Sequence, residues 1–494
     1  MFRSPLKLGA LVFALLLAVP VLVAQSSKKP MLSMGPQAVP ADITASNLAG
    51  ADFGLFKCQI PGLSSQTCYD PFQIRHAYGV DNLVNNGFTG KGKTIVIIDA
   101  FQSPNIVEEL NTFNQFYGLP GMNGLGAATD SSLGTFTQVA PDGLTPFAVG
   151  NGTQAGWAEE ITLDVLWAHA MAPGANITLV LAKSSFDSDL LSATKYVVDN
   201  RLGDVISQSF GGNESCSDAA TIMQQHDIFA EATRKNITLF ASAGDFGSAQ
   251  ISCDGTQFVQ AVSSPASDNL VTAVGGTELH AAGYCLTQLG CDPTQNPAAG
   301  TYDSEVVWNE SAQPGGEATG GGFSVVVDEP AYQKATIKGK QRGLADVSYN
   351  AAVGHGVLTF LDIPGVTAPG GGFFLFGGTS AGAPQWAAII SILDQEAGRS
   401  LGFINKAVYL LGHSPAHSAF FHDVTSGNNG FLGVAGFSAA PGWDPPTGFG
   451  SPNIQSFVSQ LPQFVSAGDG NAAINDSKPH GNPNAPGNGH KDAH

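Results

Sequence analysis

Four short apolar runs, each closed by small or polar residues, constrain this chain more than any other feature. They are Thr94-Ile-Val-Ile-Ile-Asp-Ala100, Ile177-Thr-Leu-Val-Leu-Ala182, Asp204-Val-Ile-Ser-Gln-Ser-Phe210 and Ile237-Thr-Leu-Phe-Ala-Ser242. Their apolar character is continuous rather than alternating, as in parallel strands covered on both faces. Helical stretches over 105–117, 187–200 and 219–235 follow the first three. This alternation predicts an α/β fold of three layers, a mainly parallel central sheet with helices on both faces. Ligand sites in such sheets lie beyond the carboxyl ends of the strands. Asp99, Ser209, Asp245 and Ser380 all stand at such ends or junctions, so they can converge.

Charge excludes one class of partner. Asp and Glu outnumber Lys and Arg by 40 to 21, for a net charge of −19, whereas binding phosphate backbones needs clustered cations. The scarcity of Lys and Arg also suits an acidic medium, because few fixed cations remain to repel one another once carboxylates protonate. Residues 1–24 carry Arg3 and Lys7, then an apolar run from Leu8 to Ala24, and read as a secretory signal. An uncleaved anchor is the other reading of this segment, opposed by Pro20 and the short run. The expected protein is secreted or periplasmic, monomeric, and free of the membrane after signal cleavage. Residues 25–67 read as a short arm or linker, 68–463 as the folded domain, 278–320 as a Gly-rich loop region, and 464–494 as a disordered tail poor in large apolar residues. Six cysteines suit an oxidising compartment. Proximity suggests the pairs Cys58–Cys68, Cys216–Cys253 and Cys285–Cys291 among fifteen possible connectivities. No Cys-x-x-Cys pair appears, which argues against a zinc site.

Three motifs carry chemistry. Gly378-Thr-Ser380 runs directly into an apolar helix beginning near Ala383-Pro384. Unpaired N–H groups at such a helix start, together with its dipole, favour developing negative charge, so Ser380 can act as a nucleophile. A plain helix cap is the alternative. On a predicted helix, Glu160 and Asp164 are four residues apart and share one face, with Leu163, Val165, Leu166 and Trp167 pointing to burial. Two buried carboxyls that close share a proton. Asp245 lies in Ala-Gly-Asp-Phe-Gly, a glycine turn after the fourth strand.

Together these residues resemble the sedolisin (serine-carboxyl peptidase) family of the subtilisin-like clan, from about Tyr69 to about Pro462. The resemblance implies a Ser-Glu-Asp triad of Ser380, Glu160 and Asp164, with Asp245 in the oxyanion hole. Asp346-Val-Ser348 and Trp167-Ala-His-Ala-Met-Ala-Pro173 fit the family's structural signatures. It also implies a Ca²⁺ site built from the carboxylates of Asp423 and Asp444 and the carbonyls of Val424, Ala440 and Gly442. No His-Gly-Thr motif exists; His355 is too close in sequence to Ser380 to be the usual base, and His169 reads as a core histidine. Two departures stand out: about forty residues separate the signal from the domain, where the family usually has a large prodomain, and Phe210 replaces a tryptophan that links the triad to the acid at the first strand's end, here Asp99. The implied activity is acid endopeptidase cleavage of proteins or peptides. The alternatives are tripeptidyl exopeptidase action and a non-catalytic binding protein on the same fold.

Overall fold

The computed structural model describes residues 38–41 and 54–480, apart from 127, 128, 314, 338, 467 and 477. The expected signal at 1–24 lies outside the described residues. Strands β1 (Ala38–Pro40), β2 (Thr67–Tyr69), β3 (Thr94–Ala100), β4 (Phe136–Val139), β5 (Asn176–Ala182), β6 (Val205–Gln208), β7 (Thr238–Ser242), β8 (Thr272–Ala281), β9 (Tyr302–Val307), β10 (Val347–Asn350), β11 (His355–Leu361) and β12 (Gly372–Phe376) form two sheets. The larger has eight strands in the order β9-β8-β7-β6-β3-β5-β4, with β10 also paired to β8. Every pairing in it is parallel except β8 with β9. The smaller runs β1-β12-β11-β2.

The helices α1 (Ile106–Tyr117), α2 (Gly152–Met171), α3 (Asp187–Asn200), α4 (Ala219–Arg234) and α5 (Gly382–Glu396) make the outer layers. β3 shows why the fold needs both. Ile95 and Ile97 join the core under α2 and α5, while Val96, Ile98 and Ala100 join the core under α3 and α4. Successive strand side chains point to opposite faces, so a strand apolar at every position demands two apolar covers. Helix α2 is buried at every residue from Glu160 to Met171. The odd parity of β3 turns Asp99 toward the α2 side.

Three expectations are corrected. The arm over 25–67 is not merely a linker: β1 pairs antiparallel with β12, and Leu55, Phe56, Cys58 and Ile60 are buried. Its scattered apolar residues dock on an existing core rather than forming a periodic element of their own. The 278–320 region contains β9, which pairs antiparallel with the end of β8 from Thr277 to Ala281. The tail includes helix α6 (Asp469–Asp476), whose Ala473 and Ile474 join the α3–α4 core. Two modest apolar groups suffice there because Asp469 also bonds Lys406 and the Ala473 carbonyl accepts from Asn269. The three disulfides pair as expected: Cys58–Cys68, Cys216–Cys253 and Cys285–Cys291. Among the described residues no helix is long and apolar enough to cross a membrane.

Candidate active site

Ser380 sits in a single 3-10 turn, Thr379–Ala381, that leads into α5, and is almost wholly buried. The turn is set by Gly378, whose φ of 97° is left-handed territory. A methyl group at 378 would lie 2.9 Å from Asp245 Oδ2 and 3.8 Å from the Ser380 nitrogen. Glycine therefore leaves a small cradle bounded by the Asp245 carboxyl and the Ser380 N–H. Asp245 is fixed from the other side. Its Oδ1 accepts from the Thr379 N–H at 2.8 Å and from the Thr379 hydroxyl at 2.7 Å, leaving Oδ2 as the oxygen free to carry a proton. Burial raises the Asp245 pKa, against the lowering effect of the two Thr379 bonds.

Glu160 and Asp164 lie one turn apart on α2 and are both fully buried. Burial raises Glu160 well above the ordinary range, and the charges of Asp164 and Asp99 push it further, while a Ser380 contact works the other way. Neither Glu160 oxygen closes a hydrogen bond of good geometry, so Ser380 faces a carboxyl poised near it rather than locked to it. Apo catalytic contacts are often this loose. Asp164 is raised well above its usual range by burial and then by Asp99, opposed by the Ser209 hydrogen bond and by the proximity of Glu160. The Ser209 hydroxyl lies 2.7 Å from Asp164 Oδ2 and 3.4 Å from the Ser380 carbonyl oxygen. Asp99 is buried, raised to about 8 by that burial, and neither of its oxygens has a hydrogen bond. Phe210 packs against Trp157 with ring centroids 6.2 Å apart, and no indole N–H reaches Asp99.

Ser380, Asp245, Ser209, Gly244, Phe246 and Gln250 line one cleft, so the strand ends converge on a common opening. Sequence reasoning placed Ser209 at a strand end but missed that its hydroxyl holds Asp164. It also missed Glu317, buried in a Gly-rich stretch without a hydrogen bond on either oxygen. Burial, then the charges of Asp245 and Glu310, push Glu317 to about 9. A lone carboxylate between glycines was its only signal. His169 is buried, its Nε2 donating to the Pro120 carbonyl at 2.8 Å, and burial lowers it to about 4. It is a core residue bonded through Nε2 alone.

The loops carrying Asp423 and Asp444 meet. The Gly442 N–H approaches the Asp423 oxygens at 3.0 and 3.2 Å, and Asp444 accepts from the Ala440 N–H at 2.9 Å and from Thr447. Burial raises Asp444 to about 6, and Asp423 adds to the rise. Val424 follows directly and is buried. Two acids that repel across one loop cluster, with oxygen donors only, are the chemistry a calcium ion would satisfy.

The subtilase family profile matches residues 148–403. Kumamolisin of Bacillus sp. (strain MN-32) is 31% identical over 418 residues, 82% of this chain and 66% of its own length. Sedolisin of Pseudomonas sp. (strain 101) is 33% identical over 288 residues, 56% of this chain and 44% of its own. Tripeptidyl-peptidase sed1 of Aspergillus fumigatus is 31% identical over 285 residues, 51% of this chain and 40% of its own. The chain thus spans about two thirds or less of these relatives. A solved Pseudomonas sedolisin, a serine-carboxyl proteinase complexed with two molecules of pseudo-iodotyrostatin, superposes with a TM-score of 0.67 at 28% identity, covering 82% of this chain and all of that one. With the parallel sheet and the serine at the helix start, these likenesses place the chain in the sedolisin family of subtilisin-like serine peptidases.

Proposed function

We propose that this protein is a secreted endopeptidase that cleaves proteins or peptides in acid through an acyl-enzyme, using Ser380, Glu160, Asp164 and Asp245. The observation that carries the reading is the gathering of three buried carboxyls around Ser380, with no histidine among them. Histidine is mostly protonated below pH ~6, whereas a carboxyl pair that shares one proton still offers a basic oxygen. Glu160 takes the Ser380 proton as Oγ bonds to the scissile carbonyl carbon. The C–N bond then breaks, and the same proton passes to the leaving amine. Asp164, held by Ser209, keeps the proton that the pair shares at rest while Glu160 carries that of Ser380, and it keeps Glu160 oriented. Water repeats the sequence on the ester, releasing the acid and restoring Ser380. The oxyanion forms in the cradle beside Gly378, where protonated Asp245 and the Ser380 N–H donate to it. One such donor is worth about 3 kcal/mol in rate.

Asp423 and Asp444, with the carbonyls of Val424, Ala440 and Gly442, would hold Ca²⁺, which when bound supplies charge neutralisation to the loops. Calcium is expected to raise the melting temperature near neutral pH in the wild type but not in Asp444→Ala, with the gain fading in acid.

The function is tested on a denatured protein substrate across pH, comparing wild type with Ser380→Ala and Glu160→Gln and reading product lengths by mass spectrometry. Internal fragments produced in acid, lost in both variants, support the reading. Products that are only N-terminal tripeptides would make it an exopeptidase, and an active Glu160→Gln would remove the triad.

A further inference from the structure

Outside the catalytic cluster, two histidines and a glutamate meet between the two sheets. Glu278 and His280 are two residues apart on β8, so they share a face, and His355 opens β11. His280 Nε2 lies 3.3 Å from Glu278 Oε1, and His355 Nε2 lies 3.7 Å from the same oxygen. One atom from each of the three residues falls within 4.8 Å of the others. The two imidazoles pack edge to face, with centroids 4.6 Å apart. All three side chains are partly buried, with exposures of 28% for Glu278, 38% for His280 and 22% for His355.

The protons decide what this cluster is for. His355 Nδ1 lies 2.8 Å from the Leu279 carbonyl oxygen. A carbonyl only accepts, so Nδ1 carries the hydrogen, and in the neutral ring Nε2 presents its lone pair. That lone pair faces a carboxylate oxygen, which also only accepts. A second imidazole nitrogen approaches the same oxygen, so the group converges on a position that calls for a cation. A backbone carbonyl fixing the far nitrogen of a ligating histidine is the usual support of a metal site. Four-coordinate zinc with bonds of about 2.0–2.1 Å sets its ligand atoms about 3.3 Å apart, close to the two distances seen. Two imidazoles and one carboxylate suit zinc or a similar late first-row cation. A calcium or magnesium site would need more oxygens.

We propose that Glu278, His280 and His355 form a zinc-type metal site that clamps β8 of the large sheet to β11 of the small one, with a position left open to water. The site needs no cysteine, which is why cysteine spacing could not reveal it. The histidine too near Ser380 in sequence to serve as its base finds a role here. Because β11 pairs with β2, next to the Cys58–Cys68 disulfide, and with β12, which leads into Ser380, the clamp ties the small sheet that carries Ser380 to the large one.

The full chain is stripped with chelator, saturated with calcium and titrated with zinc at pH 7.5. Wild type is expected to gain roughly 3 °C or more in melting temperature at a hundredfold excess over Kd. Cobalt in place of zinc should give the visible bands of a nitrogen- and oxygen-ligated ion, and magnesium should do neither. His280→Ala, His355→Ala and Glu278→Gln should each weaken zinc binding tenfold or more and abolish the cobalt bands. If His355→Ala does not fold, His280→Ala decides, its side chain being the most exposed of the three. An equal zinc response in wild type and His280→Ala would place the ion elsewhere on the chain and overturn the proposal. No zinc response in wild type would overturn it as well.

Discussion

Asp164 and Asp346 are both fully buried, yet one is ringed by other acids and the other is gripped by a guanidinium. Arg342 reaches Asp346 with Nη1 at 2.8 Å and Nη2 at 2.5 Å, and Tyr409 and the Ala273 N–H occupy the remaining lone pairs at 2.9 and 2.8 Å. Around Glu160, Asp164, Asp99 and Asp245 no Lys or Arg forms an ion pair among the described residues. Near Asp346 the charge is neutralised permanently and serves the fold. In the cluster only protons can neutralise it, so ionisation there follows pH and becomes available to chemistry. What sets the cluster apart is not burial alone but several acids buried against one another without a cation.

Substitutions in the two regions should behave as opposites. Glu160→Gln is expected to lower kcat by several orders of magnitude while raising the neutral-pH melting temperature, because glutamine cannot ionise in that cavity. Arg342→Met should cost roughly 3–5 kcal/mol of stability by stranding Asp346, read as a lower urea midpoint, with kcat of the folded fraction retained. Adding Asp346→Asn should recover most of that loss. A mild Arg342→Met, or a Glu160→Gln that destabilises, would break the contrast.

Within the cluster the comparison sharpens at Asp245. Asp245→Ala should lose about 10²–10³ in kcat. Asp245→Asn keeps an N–H donor and should lose less, with a flattened alkaline limb in the pH profile. Equal losses with an unmoved limb would leave Asp245 as a turn residue only.

A smaller effect concerns stability against pH. Folding raises Asp99 to about 8, Glu214 to about 7 and Glu317 to about 9, in each case chiefly by burial. An acid raised in the folded state binds its proton more tightly there than in the unfolded chain. Its stabilising contribution is therefore complete below the unfolded value near 4 and is lost as pH rises through the folded value. With chelator present, the melting temperature should fall by several degrees from pH 4 to pH 9. A flat profile would mean that these carboxyls find cations after all. The smallest change is expected for Glu317→Gln. Glu317 makes no side-chain hydrogen bond, so its loss should leave kcat in place and raise the melting temperature progressively as pH rises from the unfolded value near 4 toward the folded value of about 9.

Much of this contrast was legible in the chain itself, for physical reasons. Fully covered strands must be apolar throughout, so β3, β5 and β7 stand out, and the helix predicted over 187–200 coincides with α3. The i, i+4 spacing of Glu160 and Asp164 put both carboxyls on one face of a buried helix. What escaped notice depends on distant partners. Ser209 serves Asp164 across 45 positions, Glu317 has no periodic neighbour to report its burial, and β9 (Tyr-Asp-Ser-Glu-Val-Val) is too polar at its start to read as a strand. β1 and α6 are held by surfaces they do not themselves encode.

Helix α2 carries Glu160 and Asp164, the proposed base and its partner acid, and it is buried at every position from Glu160 to Met171. Its amide hydrogens have no route to solvent short of opening both layers, so hydrogen exchange there should proceed only through global unfolding. The loop around Gly442 should exchange far sooner. Under heat or denaturant the protein would consequently lose the Glu160–Asp164 arrangement and its fold in one cooperative event, without a folded stage that lacks it in between.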